Sequence, residues 1–382
     1  MRAAHPSSAE TVLTFLLDQW APVTRPQIAA ACGVSRPTVF TAIQDLEGRG
    51  LLREVGQQSG SPGRSATLYE VSPDAGILAA LDIGGSNLRV AVTDLRGKPL
   101  VEMHEATAEP GGTAIVAQST DLLHTALASS GAAATPLVKV AVSVPGVVAE
   151  DGSTVHYASN IDQFEPFDFR TPLSRALDVP VILDNNVNLA AMGERWQGVA
   201  RDLSTFVVVS VGAGIGAGVV HDGRLLRGSH GAAGEVAFLP PFGSHRKVDA
   251  KAHDEAGGLS LLQGARAHPG WTKPAPTTVQ ELFLRAAAGE EPAVALVEEE
   301  CERIAYVIAS VCAVIDPETV ILTGGVGAND RLISRASQLA EEMVLFPPAL
   351  VRSELGERAS LVGAVRFAAL SARLDVLERL SV

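Results

Sequence analysis

Cysteine is scarce in this chain of 382 residues: Cys32, Cys301 and Cys312 lie among apolar neighbours and form no CxxC pair. That excludes a disulfide framework and predicts buried, reduced thiols in a cytoplasmic protein. Long apolar runs are missing too, so no stretch reads as a membrane span. The N-terminus lacks the basic-then-apolar order of a secretory signal, because Asp18 and Gln19 interrupt the apolar stretch that begins at Val12. Basic charge is the minority sign, 30 Lys and Arg against 43 Asp and Glu, for a net charge of −13. Indiscriminate binding of polyanions by the whole molecule is therefore excluded, although a local DNA-reading surface is not. What remains is 47% apolar and 19% charged, the composition of a folded globular protein long enough for two or three domains.

The centre of the chain is organised by a repeated unit. Residues 77–94 read as a strand ending in Asp82, a Gly84-Gly85 turn and a second strand, followed by Gly97. Glycines there let backbone amides approach a phosphate or a sugar hydroxyl, although an ordinary hairpin would have the same pattern. Residues 206–223 repeat strand, glycine turn (Gly212-Ala213-Gly214), strand and Asp-Gly. Two copies so far apart predict two lobes of similar build facing each other.

Residues 1–75 read as a separate DNA-binding unit. Helical periodicity covers residues 10–20. A second helix follows over 24–31, with Thr24 as N-cap and Pro26 in its first turn. Cys32-Gly33-Val34 is a tight turn, and Ser35 caps a third helix reaching about Gly48, the spacing of a helix-turn-helix. Val39, Ile43 and Leu46 would pack inward, leaving Arg36, Thr38, Thr41 and Gln44 for the major groove. Segments 51–55 and 66–71 form a wing whose tip carries Arg64, placed to reach a minor groove. Arg25, Arg49 and Arg53 stand where further phosphate or base contacts are expected. A three-helix unit used for protein contacts is the plainer alternative.

The glycine hairpins resemble the phosphate loops of the actin-like sugar kinases, most closely the ROK family of bacterial sugar kinases and sugar-responsive repressors. The wing also resembles that of ROK repressors, through Pro62-Gly63-Arg64 and Leu68-Tyr69. The resemblance implies an α/β fold: an N-terminal winged helix-turn-helix followed by a two-lobed actin-like domain of the sugar kinase and ribonuclease H-like type. The implied division is 1–75 for the DNA-binding domain, 76–190 for lobe 1, completed by a C-terminal helix at 365–382, and 191–364 for lobe 2. Helices are expected at 112–130 and 299–315, with a buried strand at 138–144 and an apolar closing segment at 355–370.

Family kinases carry Glu-Asn-Asp-Ala-Asn ahead of a small-residue helix, and the Asp is the general base for sugar phosphorylation. This chain has Asp184-Asn185-Asn186-Val187-Asn188, so the base position falls on Asn186, an amide of no useful basicity. Asp184, two residues earlier, is a poor substitute. The second loop has Ala213 where the family has Thr. The resemblance therefore implies a non-enzyme, with effector contacts from Gly85, Asn160, Asn185, Asn186, Glu235 and Glu255. It also implies a zinc site that this chain has lost: Phe238 replaces the histidine, and no cysteine lies between Phe238 and Glu255. His245, Asp249 and His253 form only an unspecific substitute, so neither metal nor cofactor is expected. The expected partners are operator DNA, a sugar or sugar derivative and a second copy of the chain, with no membrane. The competing readings are a bifunctional sugar kinase with residual phosphoryl transfer and a regulator that answers to a protein partner.

Overall fold

The computed structural model describes residues 6–59, 65–108, 111–157, 166–239 and 256–380. The first module contains α1 (Ser8–Leu17), β1 (Val23–Thr24), α2 (Arg25–Cys32), α3 (Arg36–Gly48), β2 (Leu52–Ser59) and β3 (Ser65–Val71), with the strands ordered β1-β3-β2. α1 begins earlier than its apolar periodicity suggests, because Ser7 and Glu10 cap it reciprocally. Thr24 and Gln27 do the same for α2, and Gly33 ends that helix at φ +66, a left-handed cap that suits glycine. Ser35 accepts the Thr38 amide at 3.3 Å and starts α3. Val39, Ile43 and Leu46 are fully buried, as the periodicity requires.

The next module contains β4 (Ile77–Ile83), β5 (Asn87–Asp94), β6 (Pro99–Ala106), α4 (Gly112–Ser129), β7 (Leu137–Val144), α5 (Arg170–Leu177), β11 (Val181–Asn185) and α6 (Asn186–Gln197). Between β7 and α5, β8 (Val147–Val148), β9 (Thr154–His156) and β10 (Phe167–Asp168) form a small separate sheet. The rest of the chain contains β12 (Phe206–Val211), β13 (Ile215–His221), β14 (Arg224–Leu226), α7 (Gly258–Ala267), α8 (Val279–Ala287), α9 (Glu291–Ile315), β15 (Thr319–Thr323), α10 (Gly324–Gly327), α11 (Asp330–Met343), β16 (Ala349–Arg352) and α12 (Ala359–Leu380), the last of which returns to pack on β4 and β7.

The two five-stranded sheets run β6-β5-β4-β7-β11 and β14-β13-β12-β15-β16. In each, the first three strands in sequence form an antiparallel meander, and two parallel strands follow on the other side of the first. The glycine hairpins β4–β5 and β12–β13 thus occupy equivalent places in a duplicated architecture. α6 and α12 are equivalent as well, each following the fifth strand of its sheet, and they pack on one another. A Cβ on Gly363 would fall inside contact distance of the Leu189 carbonyl oxygen, and one on Gly193 would strike the Ala359 carbonyl oxygen. The two backbones meet because neither position carries a side chain.

α9 starts well before residue 299. Its buried stripe of Ala293, Leu296, Val297, Cys301 and Ile304 continues past the Glu298-Glu299-Glu300 run that masks it in the sequence. Gly324 has φ +87 and lies so close to β12 that a Cβ would strike the Val211 carbonyl oxygen. Cys301 and Cys312 are buried, which pushes their thiols up to about 12 and about 11, whereas Cys32 is only half-buried. Among the described residues no helix is long and apolar enough to cross a membrane.

Candidate functional site

A cleft of about 550 Å³ separates the two sheets, and both glycine turns line it. In the first, the Gly84 amide donates to the Asn87 carbonyl at 3.0 Å. Asp82 is buried beneath it, accepts the Ser143 hydroxyl at 2.6 Å, and lies 3.7 Å from Arg89, which also pairs with Glu357. Burial raises the Asp82 carboxyl above its ordinary range, outweighing Ser143 and Arg89, with Glu357 adding to the rise. In the second turn, the Gly212 and Ala213 carbonyls accept the Gly258 and Leu259 amides at 2.7 and 3.1 Å, which ties the loop to the start of α7. Gly257, at φ +100, has no room for a side chain against Ala213 and Gly214. Its amide donates at 2.7 Å to Glu300, a fully buried carboxylate.

Gly85, Asn185, Asn186 and Glu235 all line the cleft. Asn160 and Glu255, together with Arg64 and the histidines and aspartate at 245, 249 and 253, lie outside the described residues. Asn185 is the N-cap of α6: its Oδ1 accepts the Val187 and Asn188 amides at 2.8 and 3.1 Å, and its Nδ2 donates to the Gly146 carbonyl at 2.9 Å. Its amide is thus committed to holding the helix start. Asn186 is the next residue, and its side-chain amide has no hydrogen-bond partner among the described residues, while its carbonyl accepts the Ser360 hydroxyl at 3.0 Å. Asp184 is fully engaged. It accepts the Asn185 amide at 2.8 Å and Asn188 Nδ2 at 3.2 Å on one oxygen, and Arg227 at 2.7 and 3.0 Å on the other. Glu235 has no such partner among the described residues, and burial raises its carboxyl. Phe238 stands edge-on to Tyr157, which lines the cleft, with ring centroids 5.9 Å apart. Among the described residues no cluster of His, Cys, Asp and Glu is arranged to hold a metal ion.

On the first module, Arg36, Thr41 and Gln44 are exposed along α3, whereas Thr38 is half-buried with its hydroxyl 2.7 Å from that of Ser35. Arg49 pairs with Asp45 at 3.0 Å and Arg53 with Glu70 at 2.7 Å, so both are already neutralised within the chain. Two features carry no signal in the sequence: Phe40, which is exposed on the same helix, and the joint between the module and the rest of the chain. At that joint Trp20 stacks on Trp196 of α6 with centroids 5.8 Å apart. Asp18 receives Arg373 of α12 at 2.7 Å, with Arg366 at 3.5 Å. Burial alone would raise Asp18, but the two guanidiniums outweigh it and hold the carboxyl below its usual range.

A family model described as the ROK family matches residues 78–370. The chain belongs to the ROK family. Among its relatives, the DNA-binding transcriptional dual regulator NagC of Escherichia coli is 24% identical over 372 residues, covering 91% of this chain and 88% of that protein. A glucokinase of Halalkalibacterium halodurans is 25% identical over 283 residues, covering 69% of this chain and 85% of the enzyme. A solved ROK family transcriptional regulator, described as a homologue of the E. coli MLC protein, superposes with a TM-score of 0.76 at 21% identity over 97% of this chain and 98% of that one. That likeness shows the actin-like ROK fold preceded by a winged helix. The family contains repressors and sugar kinases, and this chain is similar to both.

Proposed function

We propose that the protein is a DNA-binding transcriptional regulator, a repressor, that senses a sugar or sugar derivative through a catalytically silent kinase-like cleft. The observation that carries this reading is the pair Asn186 and Asp184. The residue that the resemblance aligns with the family's base is an amide lining the cleft, and Asp184, two residues earlier, is held by Arg227 and two amide donors. A sugar hydroxyl there can be hydrogen-bonded but not deprotonated. In this reading residues 1–75 bind operator DNA and the remainder is the sensor. The working form is a homodimer or a higher homo-oligomer in the cytoplasm, with no cofactor.

α6 and α12 provide the route between the two. Both begin at the cleft, with Asn186 and Ala359-Ser360 on its wall, and both reach the first module, through Trp196 and through Arg366 and Arg373. A ligand that favours one separation of the lobes thereby biases the position of the reading head.

Asn186→Ala is expected to cost about 1 kcal/mol of effector affinity and to blunt the effector's action on DNA, while DNA binding without effector is unchanged. Calorimetric titration with sugars that raise the melting temperature measures it. A full effector response in the variant would move the ligand elsewhere. ATP turnover by the wild-type protein that depends on sugar, at ordinary kinase rates of about 1–100 per second, would overturn the silent-sensor reading. On the DNA side, Arg36→Ala and Gln44→Ala are expected to weaken operator binding and relax base preference by about 1–3 kcal/mol at any base read bidentately. Unchanged footprints in both variants would remove α3 from the interface.

A further inference from the structure

α3 has two faces. Val39, Ala42, Ile43 and Leu46 take one into the core, and Arg36, Pro37, Phe40, Thr41 and Gln44 are left on the other. Phe40 is the anomaly on that outer face, a large aromatic ring that is 42% exposed. Its ring is nevertheless held. The Arg25 guanidinium lies 4.9 Å from its centroid and 5.1 Å from that of Tyr69, and Arg25 donates to the Tyr69 hydroxyl. Tyr69 is itself buried in β3, so a fixed post on the wing supports a cation that supports Phe40. Arg25 has no carboxylate partner among the described residues, unlike Arg49 and Arg53. Its charge is therefore left to a surface that an anionic partner would complement.

Resting on the DNA-binding reading above, we propose that Phe40 is a base-reading residue that packs against the 5-methyl group of a thymine in the major groove, with Arg25 positioning its ring. The thymine methyl is the apolar feature of the major-groove edge, and an aromatic side chain is among the groups that contact it. A ring already fixed by Arg25 gives up little rotamer freedom on binding, so the contact keeps most of its value. Burying one methyl group against it corresponds to about a fourfold change in affinity.

The test begins with selection of a preferred sequence from random duplexes by the full chain. Each thymine of that sequence is then replaced singly by deoxyuridine, which removes the methyl and nothing else. The wild-type protein is expected to lose about fourfold at one thymine of a half-site. Phe40→Ala should bind the thymine duplex more weakly and be indifferent to uracil at that same position. Its uracil responses elsewhere should match the wild type. Arg25→Ala should reduce the uracil effect at the same position without moving it to another. If Phe40→Ala shows the wild-type uracil penalty at every position, the proposal is overturned while DNA binding stands. An empty selection overturns the DNA-binding reading, and the role of Phe40 with it.

Discussion

Gly363→Ala is expected to destabilise the protein by about 3 kcal/mol, lowering the thermal midpoint by roughly 10 °C on the scale of about 2–4 °C per kcal/mol for a large domain. The added methyl has nowhere to go, because its contact is the backbone carbonyl of Leu189 rather than the end of a flexible side chain. Either α6 or α12 must shift, and both form the wall of the cleft and the seat of the first module. Effector response should therefore fall along with stability. Gly325→Ala is the control, since a Cβ there meets nothing within 4 Å. Differential scanning fluorimetry of the two variants decides the matter. A Gly363→Ala midpoint within a degree of the control would mean that the helix crossing has slack.

Glu300 gives the second large effect, and it is one of pH. Burial raises its carboxyl to about 7, against the lowering influence of the Gly257 amide and Arg303. The folded value lies above the unfolded one, so the folded state binds the proton more tightly. The stabilisation is present in full below about pH 4.5, the unfolded value, and is lost as the pH rises through about 7. That difference is on the order of 3 kcal/mol. Glu300→Gln still accepts the Gly257 amide but cannot ionise. Denaturant melts from pH 4 to 8 should show the wild-type protein losing stability relative to this variant across that window. Parallel curves would show that Glu300 does not titrate there.

Much of this arrangement is legible in the sequence where a local rule decides it. Gly33, Ser35 and the inward spacing of Val39, Ile43 and Leu46 specify the helix-turn-helix within a dozen residues. The glycine hairpins, each bounded by apolar runs, specify both turns of the cleft. Reading fails where one signal hides another. The three glutamates at 298–300 look like a helix start, yet Glu300 is buried in mid-helix. Asn185, an effector contact by resemblance, lines the cleft and also caps α6, a second role that a side chain at a strand-to-helix junction takes on by accepting the helix's unpaired amides. Arg227 on Asp184, Trp20 on Trp196 and Phe40 above Arg25 join residues whose proximity only tertiary packing creates. No periodicity announces such pairs.

The joint at Asp18 and Trp20 also bears on how the chain is made. The first module leaves the ribosome early, but α12, which supplies Arg366 and Arg373 to that joint, is among the last segments of this sequence to appear. At about 5–20 residues per second, roughly 20–70 s pass between the two. Leu13 and Leu17 share one apolar cluster with Ala368, Ala369 and Ala372. Until α12 arrives, an unfinished chain has a folded head with no anchor, and the apolar face meant for that helix stands in water.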